Sequence, residues 1–352
     1  MNTLFRIRFF GPQTDNRKSK IKNPKCAGIV AIVLTLVFGA TAAATAQQIG
    51  KIFHIGFLDN GTASGSAVLL DTFRQEMSKL GWIDGKNIAF EYRFAEGKSV
   101  RLPELAAELV RGKVDLIIVA GAGSAAAAKK ATTVIPLVIT SGGDPVEQGL
   151  VASLARPGGN VTGLSSLNPE LNTKRLEILT DAVPKLARIG LLWQEGRLAP
   201  GDLALKDLRA AALALKLKLE KIETQRDTKG LETAFQTAKQ KQVDAIMTSP
   251  ARVFFAERKR LVELAAKYRF PAIYVQKEFV DEGGLMSYGA DYNDLYRRAA
   301  VYVDKILKGA KPADLPVQQA TKFEFIINLK AAKQIGLTIP VRVLERANQV
   351  IK

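Results

Sequence analysis

The residues able to do chemistry are few, and their spacing argues for binding rather than turnover. The single histidine, His54, sits inside the apolar run IFHIGFL. One histidine so placed supplies neither a Ser-His-Asp triad nor a histidine metal site. No GxSxG elbow occurs, and the adjacent carboxylates Asp281 and Glu282 precede two glycines, as in a solvated turn. The one cysteine, Cys26, precedes the apolar run 27–46 and cannot be the first residue of a mature lipoprotein. No catalytic residue, metal site or cofactor is therefore expected, and the chain reads as a non-enzyme.

Two glycine-rich stretches could hold an anion. Residues 121–126, GAGSAA, match the dinucleotide pattern G-x-G-x-x-A only loosely, because they follow the third apolar run and no acidic residue ends the next one. The better reading is a helix start whose amides around Gly123, Ser124 and Ala125 face an anion. Residues 141–166 read SGGDPVEQGLVASLARPGGNVTGLSS. Asp144, Pro145 and Glu147 have the spacing of a capping box, which explains the motif with or without a ligand. Its place after PLVIT, at the carboxyl edge of a sheet, favours a ligand. ARPGGNVTG lacks the lysine of a phosphate loop, and its glycines are read as a hinge between two lobes.

These loops need a scaffold. The chain has 352 residues, 47% hydrophobic and 24% charged, enough for two α/β lobes. From residue 50, apolar runs alternate with amphipathic segments, the pattern of βα units around parallel sheets. IFHIGFL, NIAFEYRF, DLIIVA and PLVIT build a first lobe; RIGLLW, LKLEKIET, DAIMTS and PAIYV build a second. The expected fold is two doubly wound parallel-sheet lobes joined by a multi-strand hinge. Residues 50–163 plus about 285–312 form the first lobe, and 164–284 plus about 313–352 the second.

The net charge is +17, of which residues 1–46 contribute seven basic side chains against Asp15, or +6, leaving +11. The remaining basic residues are dispersed without interleaved aromatics, so nucleic acid is not an expected partner. Residues 1–46 have the tripartite form of a secretory signal: a basic region, an apolar core, and Ala44-Thr45-Ala46 before Gln47. Cleavage is expected near Ala46/Gln47. A retained anchor is the competing reading, since the uncharged run 27–46 could just span a bilayer.

Several long runs carry a family likeness. LGWIDGKNIAFEYRFAEGKSVRLPELAAELV, DPVEQGLVASLARPGGNVTGLS, PELNTKRLEIL and the segment from FVDEGGLMSYG to KQIGLTIP resemble, in order, the ABC-transporter substrate-binding protein family. The resemblance covers residues 52–352. It implies a periplasmic binding protein type I-like fold and a periplasmic receptor that closes over a small solute. The implied partner is an ABC permease in the inner membrane, and the receptor acts as a monomer. Some members are associated with tryptophan or tyrosine, so a carboxylate-bearing solute, with an aromatic amino acid favoured, is expected. On this chain the ligand loops correspond to Asn60; to Gly123, Ser124 and Ala125; to Ser141 and Asp144; and to Ser165. The second lobe offers Trp193, Ser249, Gln276 and Glu278, with Tyr288 on the returning segment. Glu278 or Asp144 would meet an ammonium, and Trp193 or Tyr288 an aromatic ring. At 121–124 the chain has Gly-Ala-Gly-Ser where many members have Gly-Thr-Pro-Ala. The alternative is an exported sensor input or enzyme on the same fold.

Overall fold

A computed structural model describes residues 51–194, 203–224 and 228–352. The signal-like segment and the cleavage expected near Ala46/Gln47 lie outside the described residues. The first lobe runs β1 (Phe53–Asp59), α1 (Ala63–Lys79), β2 (Ile88–Phe94), α2 (Leu102–Arg111), β3 (Leu116–Ala120), α3 (Ala122–Ala131), β4 (Leu137–Ser141) and β5 (Val161–Ser165). The chain then enters the second lobe with α4 (Asn168–Ala182), β6 (Arg188–Gln194), α5 (Leu203–Ala214), β7 (Lys218–Thr224), α6 (Thr228–Gln240) and β8 (Ala245–Thr248). It continues with α7 (Arg252–Ala256), α8 (Arg258–Lys267), β9 (Ala272–Tyr274), α9 (Glu278–Asp281) and β10 (Met286–Ala290). Helix α10 (Tyr292–Leu307) and β11 (Gln318–Gln319) return to the first lobe. The tail of β12 (Phe323–Asn328), α11 (Leu329–Ile335), α12 (Val341–Leu344) and β13 (Gln349–Ile351) completes the second.

The two sheets have the orders β11-β5-β4-β3-β1-β2 and β13-β12-β10-β9-β8-β6-β7. Among the described residues all strand pairings are parallel except β10 with β12. Strands β3 (LIIVA) and β4 (LVITS) are buried along their whole length, which is why they read as continuous apolar runs rather than alternating ones. The expected pair of doubly wound lobes is the observed fold.

Helix α10 shows why the chain returns. Asp291 caps it by accepting from the Asp294 amide, and its buried face of Leu295, Tyr296, Ala299, Ala300 and Val303 packs on α1 and β4. The chain therefore crosses between lobes three times, at 166–168, 290–292 and 319–323. Strand β10 belongs to the second sheet, and the return to the first lobe comprises α10 and β11.

Two local expectations are corrected. DPVE starts no helix: Asp144 Oδ1 does accept from the Val146 and Glu147 amides (2.7 and 3.2 Å), but the turn stops at Gly149, where φ is +65°. A single capped turn has no apolar periodicity to extend it. ARPGGNVTG is not the crossing, because β5 pairs with β4 inside the first sheet. Gly163 is needed there because a Cβ would stand 2.3 Å from the Ile139 carbonyl oxygen.

Candidate functional site

The lobes meet at the carboxyl ends of both sheets, where doubly wound proteins bind ligands. Asp59 ends β1 and is fully buried. Its Oδ1 accepts from the Gly61 amide (2.9 Å) and Arg252 Nε (3.0 Å); its Oδ2 accepts from Ser66 Oγ (2.5 Å) and Arg252 Nη2 (2.6 Å). Arg252 begins α7 of the second lobe, so this bidentate pair joins the lobes directly. Burial works against the arginine's charge, but the Asp59 carboxylate outweighs it, and the guanidinium pKa is raised above its ordinary value. Helix α7 also packs on α1, where a Cβ on Gly65 would meet Ala256 Cα at 2.9 Å.

Near the carboxyl ends of both sheets, several buried polar atoms lack a hydrogen-bond partner within the protein. On the first lobe they are Asn60 Oδ1 and Ser124 Oγ; on the second, Ser249 Oγ, Arg252 Nη1, Gln276 Nε2 and both carboxylate oxygens of Glu278. Each belongs to a residue at or just past a strand's carboxyl end. Such groups cost about 1–3 kcal/mol each when left unmade, so a native protein keeps them where something else completes them. Glu278 is 5% exposed, and burial raises its pKa.

A third group of residues holds the crossings. Arg175 is fully exposed to neither lobe's surface, at 0% relative exposure, and donates to Tyr288 O (2.6 Å), Asn172 Oδ1 (2.8 Å) and Asn168 Oδ1 (2.9 Å). Asn168 in turn donates to Ser166 Oγ (2.9 Å) and Tyr292 Oη (2.7 Å), tying the first crossing to the second. All of these partners are neutral, and burial lowers the arginine's pKa to about 10. Leu167, between the lobes, holds a left-handed φ of 54°, a strained conformation for a branched residue.

The family model described as ABC transporter substrate binding protein matches residues 66–351. The chain belongs to the ABC transporter substrate-binding protein family. A curated relative, the tyrosine-binding protein of Clostridioides difficile (strain R20291), is 28% identical over 271 residues, 75% of each chain. The structure of an ABC domain in complex with L-Trp from Streptococcus pneumonia is 26% identical, with a TM-score of 0.77 for a Vibrio cholerae conserved domain protein at 28% and 0.76 for the L-Trp complex itself. The L-Trp complex covers 86% of this chain and 100% of its own; the Vibrio cholerae protein covers 85% and 100%.

Within this substrate-binding protein the expected site residues divide. Asn60, Ser124, Ser249, Gln276 and Glu278 carry the unpartnered atoms, and Gly123 and Ala125 share the first turn of α3 with Ser124. Ser141 is buried at the end of β4, its carbonyl accepting from the Gly121 amide at 3.0 Å. Asp144 and Ser165 spend their side chains locally, the latter on the Gly143 carbonyl at 3.0 Å. Trp193 lies in the second lobe's own core with Leu205 and Leu208, and Lys221 Nζ sits 5.8 Å from its ring centroid. Tyr288 packs edge-to-face on Phe325 against the same core. His54 has the structural place expected of it, on β1 with Nδ1 3.4 Å from Glu91. Arg252, Ser66 and Arg175 were not singled out from sequence. Arg252 could have been, since it follows DAIMTSP at a strand's carboxyl end; nothing in NPELNTKRLEIL separates Arg175 from its neighbours.

Glu278 gives a pH prediction. Its folded-state pKa is raised, so it contributes stability that is full below the ordinary carboxyl pKa and is lost as pH rises through the raised value. Glu278→Gln should remove that loss, stabilising the unliganded protein at neutral pH by about 1–3 kcal/mol while leaving it unchanged near pH ~4. Melting curves of both proteins across this range test it. Parallel curves would mean that the buried carboxylate costs nothing.

Proposed function

We propose that this chain is the extracytoplasmic receptor of an ABC importer, capturing an aromatic amino acid between its lobes and presenting it to a membrane permease. The observation that carries this reading is the set of unpartnered buried polar atoms that both lobes carry near the carboxyl ends of their strands. Ser124 Oγ, Arg252 Nη1 and the first-turn amides of α3 are donors suited to a carboxylate; Glu278 is a buried anion suited to an ammonium. The tyrosine-binding relative and the L-Trp complex support the aromatic choice. The interlobe pair of Asp59 and Arg252 supports capture by hinge closure. The signal-like N-terminus supports export, with the mature chain beginning at Gln47 and acting as a periplasmic monomer.

Tyrosine, tryptophan or phenylalanine at about a hundred times its dissociation constant should stabilise the protein by roughly 2.7 kcal/mol, a shift of several degrees in melting temperature. Mass spectrometry of solute released on denaturing the purified protein gives an independent answer. Stabilisation by sugars alone would refute the amino-acid reading, and turnover of a bound compound would replace the receptor by an enzyme.

A further inference from the structure

We propose that Arg252 is the residue through which the second lobe reads the ligand's carboxylate, so that only a carboxylate-bearing solute completes the contact between lobes. The proposal rests on the amino-acid reading above and names the group that enforces it. A guanidinium has five N–H donors. Arg252 uses three: Nε and one Nη2 proton on Asp59, and the other Nη2 proton on Ser66 Oγ at 2.9 Å. Nη1, with the remaining two, is buried and has no partner in the protein.

Asp59 cannot absorb those protons. Its carboxylate already accepts four hydrogen bonds, which fills its lone-pair sites. By the same count it is not an ammonium acceptor; its work is to fix the plane of the guanidinium. The stem of Arg252 runs across Gly121, where a Cβ would lie 3.5 Å from Cγ and 3.9 Å from Cδ. This brings the side chain to the start of α3, a helix of ten residues. There Ser124, with 0% exposure, has its own hydroxyl unpartnered, and the helix leaves its first-turn amides without acceptors.

The grouping is one of donors: Nη1 from one lobe, a hydroxyl and amides from the other. A planar anion with two acceptor oxygens satisfies both sides at once, which describes a carboxylate. Because the arginine approaches α3 only when the lobes are together, a bound anion adds to the Asp59 pair in holding the closed state.

Titration calorimetry with L-tyrosine and with tyramine, which keeps the ring and ammonium but lacks the carboxylate, tests the assignment. The wild-type protein should prefer L-tyrosine by at least about a hundredfold. The double variant Asp59→Asn/Arg252→Met removes the cation together with its counter-charge, so no unpaired carboxylate remains to repel the ligand; in it the preference should fall to about tenfold or less. Ser124→Ala, a small change with no bond to lose within the protein, should weaken L-tyrosine by about tenfold and leave tyramine unchanged. A double variant that keeps the full preference overturns the role of Arg252, as does a wild-type protein that binds both compounds equally, and either leaves the aromatic-ligand reading standing. Absence of binding by either compound to the wild type would overturn that reading and this assignment together. Circular dichroism confirms folding of each variant, and if the double variant does not fold, Ser124→Ala decides: equal losses for both compounds overturn the proposal.

Discussion

Gly289→Ala should lower the stability of the protein by at least about 3 kcal/mol, on the order of 10 °C in melting temperature. A Cβ at this position would stand 1.9 Å from the Val275 carbonyl oxygen and 3.0 Å from its carbon. Both belong to backbone at the ends of neighbouring parallel strands, β9 and β10, so no rotamer change relieves the clash. The strain would also reach the crossing, because Arg175 Nη2 lies 3.4 Å from the same point. Gly159→Ala is the control: nothing lies within 4 Å of its Cβ position, and the change should stay within about 0.5 kcal/mol. Urea or thermal unfolding of the two variants measures the difference. Equal stabilities would show that β9 and β10 separate at little cost, contrary to the tight register of Ser287 with Tyr274.

Asp59→Ala should act on conformation more than on folding. It strands a buried guanidinium and removes the acceptor of the Gly61 amide and the Ser66 hydroxyl. Breaking a buried pair in this way costs about 3–5 kcal/mol. The pair spans the lobes, so the cost falls on the closed state, and opening returns Arg252 to water. A shift of that size moves the balance toward the open form by roughly two to four orders of magnitude and weakens ligand binding in proportion. Small-angle scattering should show a larger radius of gyration for the variant, with each lobe still folded by circular dichroism. An unchanged radius and unchanged affinity would mean that apolar packing of α7 on α1 closes the molecule unaided.

The fold was legible because its strands are short, apolar and regularly separated by amphipathic helices; β1, β3, β4 and β6 fall within a residue of the runs read from sequence. Strands β11 and β13, of two and three residues, carry no periodicity to detect. The amphipathic stretch after DAIMTSP folds as two helices, α7 and α8, divided at Glu257 with φ −96° and ψ 19°. The candidate site was legible where it follows the rule of strand ends: Ser124, Ser249 and Glu278 were expected there and carry buried atoms without partners. It was not legible where side-chain direction decides: Trp193 sits at a strand end, but its alternation with Leu192 turns it into the lobe's core. The pairing of Asp59 with Arg252, 193 residues apart, has no local signal at all.

The three crossings also set the order in which the molecule can be made. The first lobe needs α10 to cover α1 and β4, and that helix is synthesised only after all of β6 to β10. The second lobe in turn waits for β12 to pair with β10, and for β13 beyond it. A nascent chain stopped just before residue 292 has five of the first sheet's six strands and five of the second's seven, but α1 and β4 are uncovered and neither lobe is finished. Folding is deferred to the end of synthesis, with long sequence separations to close, and is correspondingly slow.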